Sequence, residues 1–319
     1  MQKYFSLIVK EKNSLEGDVY QLILCNPSGD LLPSFTPGSH IEVKTPNGLY
    51  RHYSLIGDGK SPNQYELGIK KMANGRGGSV EIVDDLLIGQ EIQVSIPENF
   101  FHLDHANEYL FIAGGIGITP ILSMIKHLQD INHHNFHLIY CTRSLAQTPY
   151  LNYLLELIKP EQLTLHHDEG STSNQIDFWP YLAEPKEGLI YCCGPSPMME
   201  DVKGMTGHWD EGSVRFEDFG SSPTKLPMSS EGNTSFEVKH AKTGNSYPIA
   251  QDKTILESLR EQGVSLPSSC ESGTCGTCLV RLISGEPDHR DFILDSTRQQ
   301  SEILICISRS KSPVLVLDW

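Results

Sequence analysis

The chain has 319 residues, 38% of them hydrophobic, and a formal net charge of -15 from 25 basic and 40 acidic residues. This length allows two or three domains, each with its own core. The acidic balance and the lack of a basic run argue against nucleic acid or an anionic membrane surface as a partner. The sequence carries no run of membrane-spanning length and no recognisable secretion signal, so we expect a cytoplasmic protein.

Residues 1–103 contain short alternating segments separated by turn residues. This pattern predicts an antiparallel barrel or sandwich. One segment, "RHYSL", places Arg51, Tyr53 and Ser54 on a single strand, and alternation points Arg51 and Tyr53 to the same side. An aromatic face stacks on a flat ring and an arginine pairs with a phosphate. Taken alone the motif is weak, because any hairpin can carry it.

A glycine-rich turn, "GRGGS", follows within the same region and precedes a predicted helix. Free amides, the helix dipole and an arginine together make a phosphate site. The alternative is an ordinary turn in which the serine caps the helix. The turn comprises Arg76, Gly77, Gly78 and Ser79.

Residues 104–222 alternate apolar strand segments with helical segments, which predicts an α/β domain with a parallel sheet. "AGGIGITP" and "YCCGPSPMM" each join a strand to a helix through a glycine turn. Neither fits the usual dinucleotide fingerprint. A glycine turn at the carboxyl end of a parallel strand nevertheless marks a nucleotide crevice. The residues of interest are Gly114, Gly115, Gly117, Thr119, Cys193, Gly194 and Pro195.

Two further segments bear on the choice of nucleotide. Asp168, in "LTLHHDEG", follows a strand and favours an unphosphorylated ribose 2'-hydroxyl, which indicates NADH. Arg143 and Ser144, in "CTRS", are an alternative that would accept a 2'-phosphate and hence NADPH. We favour NADH, because the carboxylate would repel that phosphate.

Residues 223–233 are rich in serine, proline and glycine and read as a linker. A third domain over residues 234–319 opens with a hairpin, followed by a helix that we expect Asp252 to cap at its start and Gly263 at its end.

The third domain carries three cysteines in the pattern C-x4-C-x2-C and a fourth in the apolar run "ILICIS". This is the plant-type 2Fe-2S spacing. Glycines within the loop let backbone amides approach the sulfides. A structural zinc site would instead pair two knuckles, or a knuckle with histidines, and the sequence has no second knuckle. The four predicted ligands are Cys270, Cys275, Cys278 and Cys306.

Taken in order, "RHYSL", "GGIGITP" and "CGPSPM" resemble the ferredoxin-NADP reductase superfamily. "GRGGS" and the ferredoxin-like C-terminal segment narrow the resemblance to the phthalate dioxygenase reductase family, over essentially the whole chain. The resemblance implies an antiparallel β-barrel that binds FMN (1–103), an NAD-binding α/β domain with a parallel sheet (104–222), a linker (223–233) and a β-grasp ferredoxin domain (234–319).

The resemblance also implies roles for individual residues. Thr119, Cys193 and Glu217 would lie at the reaction centre. Gly114 to Gly117 and Cys193 to Pro195 would frame the nicotinamide and pyrophosphate. The residues implied to hold FMN are Arg51, His52, Tyr53, Ser54, Gly68, Ile69, Lys70, the phosphate loop from Arg76 to Ser79, and Phe219 at the ring edge.

A member of this family would pass electrons from NADH to FMN, then to the 2Fe-2S cluster, and then to a Rieske-type oxygenase. Plant-type clusters lie near about -400 mV and Rieske centres at about -150 to +300 mV, so the last transfer is downhill. The alternatives are a reductase for a haem or di-iron hydroxylase, and a zinc-stabilised interaction protein. The substrate of the oxygenase cannot be read from this chain.

Overall fold

The computed structural model describes residues 4–73, 77–210, 212–219, 233–268, 271, 273, 276–291 and 293–319. The chain divides into two compact units, Met1–Glu217 and Asp218–Trp319. Across the described residues, no helix has the length and apolar character needed to cross a membrane. Of the predicted linker 223–233, residues 223–232 lie outside the described part.

The first unit begins with an antiparallel sheet in the strand order β4-β5-β2-β1-β6-β3-β7. An additional pairing between β3 and β4 closes the strands into a barrel, as the alternating pattern and the resemblance predict. The strands are β1 (Tyr4–Ser14), β2 (Val19–Cys25), β3 (Ser39–Lys44), β4 (Tyr50–Ile56), β5 (Gln64–Lys70), β6 (Glu91–Ser95) and β7 (Glu98–Asn99).

The barrel has an open seam between β4 and β5. Their ladder consists of two pairs, Leu55 with Leu67 and Ile56 with Glu66. Toward the start of β4 the two strands separate, although β4 stays paired with β3 from Tyr50 to Ser54. The seam therefore leaves backbone groups of both strands available to a ligand.

A short helix, α1 (Ser79–Asp84), covers part of the barrel core. Its buried residues Ile82 and Val83 join the apolar cluster formed by the inward-facing strand residues. Burying apolar surface stabilises the barrel by roughly 25 cal/mol per Å². The helix thus holds the preceding glycine turn against the barrel.

The same unit continues with a five-stranded parallel sheet in the order β10-β9-β8-β11-β12. The chain order reverses between β8 and β11, and α/β proteins bind nucleotides at such a reversal. The strands are β8 (Tyr109–Gly114), β9 (Phe136–Thr142), β10 (Leu163–His167), β11 (Leu189–Cys193) and β12 (Val214–Glu217). The helices are α2 (Ile118–Asp130), α3 (Leu151–Leu157), α4 (Trp179–Leu182) and α5 (Ser196–Met205).

Direct hydrogen bonds join the barrel to the parallel sheet within this unit. Ser123 Oγ of α2 donates to the carbonyl of Gly57 at 2.7 Å. Tyr191 Oη of β11 donates to the carbonyl of His102 at 2.9 Å. The predicted boundary at residues 103 and 104 falls between β7 and β8, inside this unit.

The second unit contains a mixed sheet in the order β14-β13-β19-β15-β17, in which β13 and β19 run parallel. A helix and the sheet share one apolar core. The elements are β13 (Phe236–His240), β14 (Ser246–Ile249), α6 (Ile255–Glu261), β15 (Leu279–Ser284), β16 (Pro287–Asp288), β17 (Glu302–Leu304), β18 (Arg309–Ser310) and β19 (Val314–Asp318).

The start of α6 corrects the predicted cap. Thr254, not Asp252, is the N-cap: its hydroxyl accepts from the amide of Glu257 at 3.1 Å, and Glu257 Oε2 accepts from the amide of Thr254 at 2.7 Å. This reciprocal pair is a capping box, which satisfies two backbone donors at once. At the other end, Gly263 has the positive φ of 82° expected of a terminating glycine.

Candidate functional site

Arg51 of β4 lies beside the turn that precedes α1. Its Nε donates to the carbonyl of Gly77 at 3.4 Å, and its Nη1 donates to the carbonyl of Tyr50 at 2.8 Å. Gly78 has φ 89°, and a side-chain carbon there would stand 2.8 Å from Arg51 Cγ. Glycine is therefore required for the turn to approach the arginine. Arg76, predicted for the same phosphate loop, lies outside the described residues.

Ser79 is not the cap of α1. It is the first helical residue, and its hydroxyl accepts from the amide of Met72 at 3.1 Å. The turn also contains the carboxylate of Glu81, whose pKa is lowered by hydrogen bonds, the one from Thr45 first. A phosphate bound here would share the turn with this carboxylate, so the arginine charge is needed to offset it.

The register of β3 and β4 places Arg51 opposite Val43, and Tyr53 opposite Ile41. The prediction that Arg51 and Tyr53 share a side is confirmed. Burial raises the pKa of the Tyr53 phenol, which therefore stays neutral. Ser54 points to the other face, is 3% exposed, and finds no hydrogen-bond partner for its hydroxyl among the described residues.

His52 shares the outer face with Ser54. Its Nε2 lies 3.3 Å from Glu42 Oε1, and its ring stacks on that of His40 with centroids 4.6 Å apart. His40 is opposite Ser54 in the register. Burial, and next the neighbouring His52, lower the pKa of His40 to about 3. His40 is consequently a neutral imidazole at physiological pH.

The turns after β8 and β11 meet at the chain reversal. A side-chain carbon on Gly117 would stand 2.1 Å from the carbonyl oxygen of Cys193, and one on Gly114 would stand 2.5 Å from Pro195 Cδ. On Gly194 it would lie 2.9 Å from the Gly114 Cα. The predicted glycines are therefore needed for the two turns to pack against each other.

The three predicted reaction-centre residues all lie at the carboxyl edge of the parallel sheet. Cys193 is fully buried and is opposite Glu217 in the register of β11 and β12. Thr119 is 1% exposed, and its hydroxyl donates to the carbonyl of Ile116 at 3.1 Å. Their individual roles stay predictions.

The segment from Gly68 to Lys70 lies at the end of β5. A side-chain carbon on Gly68 would stand 2.7 Å from Thr119 Cγ2, so this glycine lets α2 approach the barrel. The Ile69 side chain packs in the barrel core, so only the backbone of this residue could line a ligand. Burial, and then the charge of Arg143, lower the pKa of Lys70.

The two candidates for the adenine ribose lie on neighbouring turns. The amide of Asp168 donates to the carbonyl of Thr142 at 3.1 Å, and the amide of Glu169 donates to the carbonyl of Arg143 at 2.9 Å. Asp168 Oδ1 accepts from the amide of Gly170 at 2.8 Å. These backbone hydrogen bonds join the turn that contains Asp168, which would favour NADH, to the turn that contains Arg143, which would favour NADPH.

In the second unit, Cys278 and Cys306 lie at one end of the β15–β17 pair and are each 3% exposed. The amide of Ile305 donates to the carbonyl of Cys278 at 3.4 Å, which holds the two segments together. Gly273 and Gly276 have φ of 81° and 73°, so the loop between the ligands needs glycine at both. Cys270 and Cys275 lie outside the described residues. Phe219 belongs to this unit, and its placement at the flavin edge stays a prediction.

Two tyrosines at this site, Tyr140 and Tyr150, were not predicted from the sequence. Tyr140 of β9 is fully buried, and its single hydroxyl proton is shared between the carbonyls of Gly115 at 3.1 Å and Pro149 at 3.0 Å. It therefore ties the first glycine turn to the start of α3. Tyr150, which follows Pro149 in the chain, contacts Gly68 of the barrel. Neither carries a local sequence signal, because both contacts join residues far apart in the chain.

Comparison with known proteins supports both nucleotide and cluster binding. A family model for a 2Fe-2S iron-sulfur cluster binding domain matches residues 238–311, and one for an oxidoreductase NAD-binding domain matches residues 111–204. The phthalate 4,5-dioxygenase oxygenase reductase subunit of Pseudomonas putida is 43% identical over 99% of this chain and 97% of its own length.

Two solved structures extend the comparison. Phthalate dioxygenase reductase, described as a modular structure for electron transfer from pyridine nucleotides to 2Fe-2S, matches at TM-score 0.71 and 40% identity, covering 99% of this chain and 98% of that one. An intact type IV self-sufficient cytochrome P450 monooxygenase matches at TM-score 0.79 and 31% identity, covering 98% of this chain and 41% of that one.

Proposed function

The chain belongs to the phthalate dioxygenase reductase family, and on that premise we propose that it passes electrons from NADH, through FMN and a 2Fe-2S cluster, to a Rieske-type oxygenase. It is an oxidoreductase, and an oxygenase component is its partner, as for the subunit it is similar to. Three details belong to the proposal: FMN as the flavin, a Rieske-type oxygenase as the acceptor, and the roles of the individual site residues.

One observation carries the proposal: the barrel seam and the nucleotide crevice are adjacent. Gly68, the first residue of β5 beyond the ladder with β4, is in contact with Thr119 at the start of α2. A ring bound in the seam would therefore neighbour a nicotinamide bound in the crevice. Direct electron transfer between two ligands requires this proximity.

The residues at the seam fit a flavin mononucleotide. The part of β4 and β5 that lies outside their mutual ladder suits the polar edge of a flat ring, and the buried Ser54 hydroxyl has no partner among the described residues. Arg51 and the positive-φ glycines Gly77 and Gly78 suit a single phosphate. When bound, FMN supplies the conversion from two-electron to one-electron transfer.

The chain's own contribution is to position the ligands. Arg51 would hold the phosphate, and the neutral Tyr53 phenol adds no charge beside it. Gly114 and Gly117 let the two turns at the chain reversal pack together, and a nicotinamide would bind beside them. Asp168 would bind the adenine ribose and exclude a 2'-phosphate by charge repulsion.

The cluster ligands fit an iron-sulfur centre better than structural zinc. Cys278 and Cys306 are both buried, and Gly273 and Gly276, which lie between the predicted ligands, have positive φ angles of 81° and 73°. With Cys270 and Cys275 the two buried cysteines complete the plant-type spacing. The match to a 2Fe-2S domain model over residues 238–311 supports the same assignment.

The proposal is tested on the purified full-length chain. Extracted flavin is identified by chromatography, iron and acid-labile sulfide are assayed, and reduction rates are compared for NADH and NADPH. We expect the extracted flavin to be FMN. Iron and sulfide should be present in equal amounts, at about two of each per chain for this cluster type. Reduction should be faster with NADH than with NADPH. Recovery of FAD, or of zinc in place of iron, contradicts the proposal.

A second acceptor has one specific observation in its favour. The chain aligns over 98% of its length with 41% of an intact type IV self-sufficient cytochrome P450 monooxygenase. Mixing the reduced chain with a purified Rieske oxygenase or a haem monooxygenase separates the two. Fast reduction of the haem protein alone favours this alternative.

A further inference from the structure

Tyr150 occupies an unusual backbone conformation at the start of α3. Its φ is 61°, in the left-handed region that bulky residues rarely adopt. The segment is held by Tyr140, which donates to the carbonyl of Pro149 at 3.0 Å, and by the amide of Leu154, which donates to the carbonyl of Tyr150 at 2.9 Å. The surrounding structure therefore maintains a strained residue, which is a recurrent feature of functional sites.

The side chain of Tyr150 points from the nucleotide-binding half toward the barrel. The residue is 6% exposed, and its hydroxyl lies 3.0 Å from the position that a side-chain carbon on Gly68 would occupy. Thr119 Cγ2 lies 2.7 Å from the same position. The hydroxyl is thus placed where β5 leaves its ladder with β4, at the mouth of the seam.

The Tyr150 hydroxyl has no hydrogen-bond partner among the residues that the structure describes. Its acidic neighbour Glu66 accepts instead from Gln21 Nε2 at 2.6 Å. Burial raises the pKa of Tyr150, so the phenol keeps its proton and remains a donor. A buried donor without an acceptor costs free energy that a phenylalanine at this position would avoid.

These observations are explained together if the missing acceptor belongs to a ligand. We propose that the Tyr150 hydroxyl donates a hydrogen bond to the flavin bound in the seam between β4 and β5, which makes Tyr150 a flavin-binding residue supplied by the nucleotide-binding half. The flavin ring carries carbonyl oxygens and ring nitrogens along its polar edge as acceptors. This inference rests on the proposed function.

The test is Tyr150→Phe in the full-length chain. Two quantities are measured: the affinity for FMN, which should fall, and the stability of the flavin-free chain, which should not fall. Flavin is removed, and FMN is titrated back while its fluorescence is followed. We expect FMN binding to weaken about three- to tenfold, the loss of one neutral hydrogen bond. The thermal midpoint of the flavin-free chain should stay the same or rise, because the variant removes a donor that has no acceptor in that state.

Two matched variants serve as controls. Tyr153→Phe removes an exposed hydroxyl three residues away and should change neither measurement. Tyr140→Phe removes a hydroxyl that has two carbonyl acceptors, so it should lower the thermal midpoint of the flavin-free chain. The contrast between the last variant and Tyr150→Phe separates a structural hydroxyl from one that serves a ligand.

Two results overturn the role of Tyr150 without touching the proposed function. One is unchanged FMN affinity in Tyr150→Phe. The other is a lower thermal midpoint, or failure to fold, in the flavin-free variant, since either means that the hydroxyl has a partner within the protein. A wild-type chain that binds no flavin overturns the proposed function itself.

Discussion

Gly117 and the main-chain carbonyl of Cys193 are in direct contact: a side-chain carbon on Gly117 would stand 2.1 Å from the Cys193 oxygen. The contact joins the turns after β8 and β11 at the chain reversal. Gly117→Ala forces them apart, and we expect a destabilisation of about 1–3 kcal/mol and a raised KM for NADH. Thermal melts and steady-state kinetics with ferricyanide measure the two effects.

Gly204→Ala is the matched control for this variant. Gly204 lies in α5 with no atom within 4 Å of an added side-chain carbon. Alanine in a helix is favoured over glycine by up to about 1 kcal/mol, so this variant should be at least as stable as the wild type, with an unchanged KM. Equal behaviour of the two variants contradicts a special role for the Gly117 contact.

Arg51→Met tests the proposed phosphate site. The arginine lies against Gly77 and Gly78, and a hydrogen bond to a charged group contributes about 1.5–3 kcal/mol. FMN affinity should therefore fall by roughly tenfold or more, whereas riboflavin, which lacks the phosphate, should bind as before. Lys44→Met, on the neighbouring strand β3, is the control. A parallel loss for FMN and riboflavin places the effect of Arg51 on the ring instead.

Asp168→Asn tests the choice of nucleotide. Asparagine keeps an acceptor for the amide of Gly170 while removing the charge. Relief of the repulsion, about 1 kcal/mol for charges 4 Å apart in water, should shift kcat/KM toward NADPH by roughly fivefold. The same measurement on Glu169→Gln controls for a general change of surface charge. An unchanged ratio assigns discrimination to another residue.

Cys306→Ser removes one of the two described cluster thiolates. We expect loss of acid-labile sulfide, loss of the EPR signal after reduction and loss of cytochrome c reduction, because serine does not replace a thiolate ligand. Ferricyanide reduction by NADH should persist, since it needs the flavin alone. Cys25→Ser in the barrel is the control. Loss of ferricyanide reduction in a folded variant that keeps its flavin argues against this order of transfer.

His40 predicts a pH dependence of stability in the flavin-free chain. Its pKa is lowered from 6.5 to about 3, chiefly by burial and then by His52, against an opposing contribution from Glu42. Between these values the unfolded chain binds a proton that the folded chain excludes, so stability falls as the pH falls, by at most about 1.4 kcal/mol per pH unit.

Chemical denaturation at pH 7, 6 and 5 measures this slope, and His40→Gln is the comparison because it keeps polarity without titrating in this range. The wild type should lose more stability than His40→Gln between pH 6 and 5. Parallel losses assign the acid sensitivity to other groups, such as His137, whose pKa burial also lowers.

The fold could be predicted because its signals are local. The alternation in residues 1–103 predicts strands, and β3 and β4 are strands with Ile41 and Val43 in the barrel core. The glycine turns after β8 and β11 likewise indicate a crevice from the sequence alone. The α6 cap was also local, since "TILE" is a capping-box pattern, but Asp252 was chosen over Thr254.

The rest of the site depends on contacts between distant segments. Tyr150 contacts Gly68, which lies far earlier in the chain. Nothing around "TPYLNY" indicates a left-handed tyrosine, a conformation more common for glycine and asparagine. Likewise, the turns that contain Asp168 and Arg143 are joined by backbone hydrogen bonds although they follow different strands. Sequence patterns indicate such residues individually, but they do not show which of them are in contact.

The seam between β4 and β5 also bears on aggregation, because the two strands are joined by a ladder of two residue pairs. Strand segments that lie outside a ladder can pair with another chain, a hazard that closed barrels otherwise avoid. A ligand bound in the seam would cover these strand segments and block such pairing. Flavin loss and self-association should therefore be linked, so that chains produced faster than their cofactor is supplied accumulate as oligomers joined through β4 and β5.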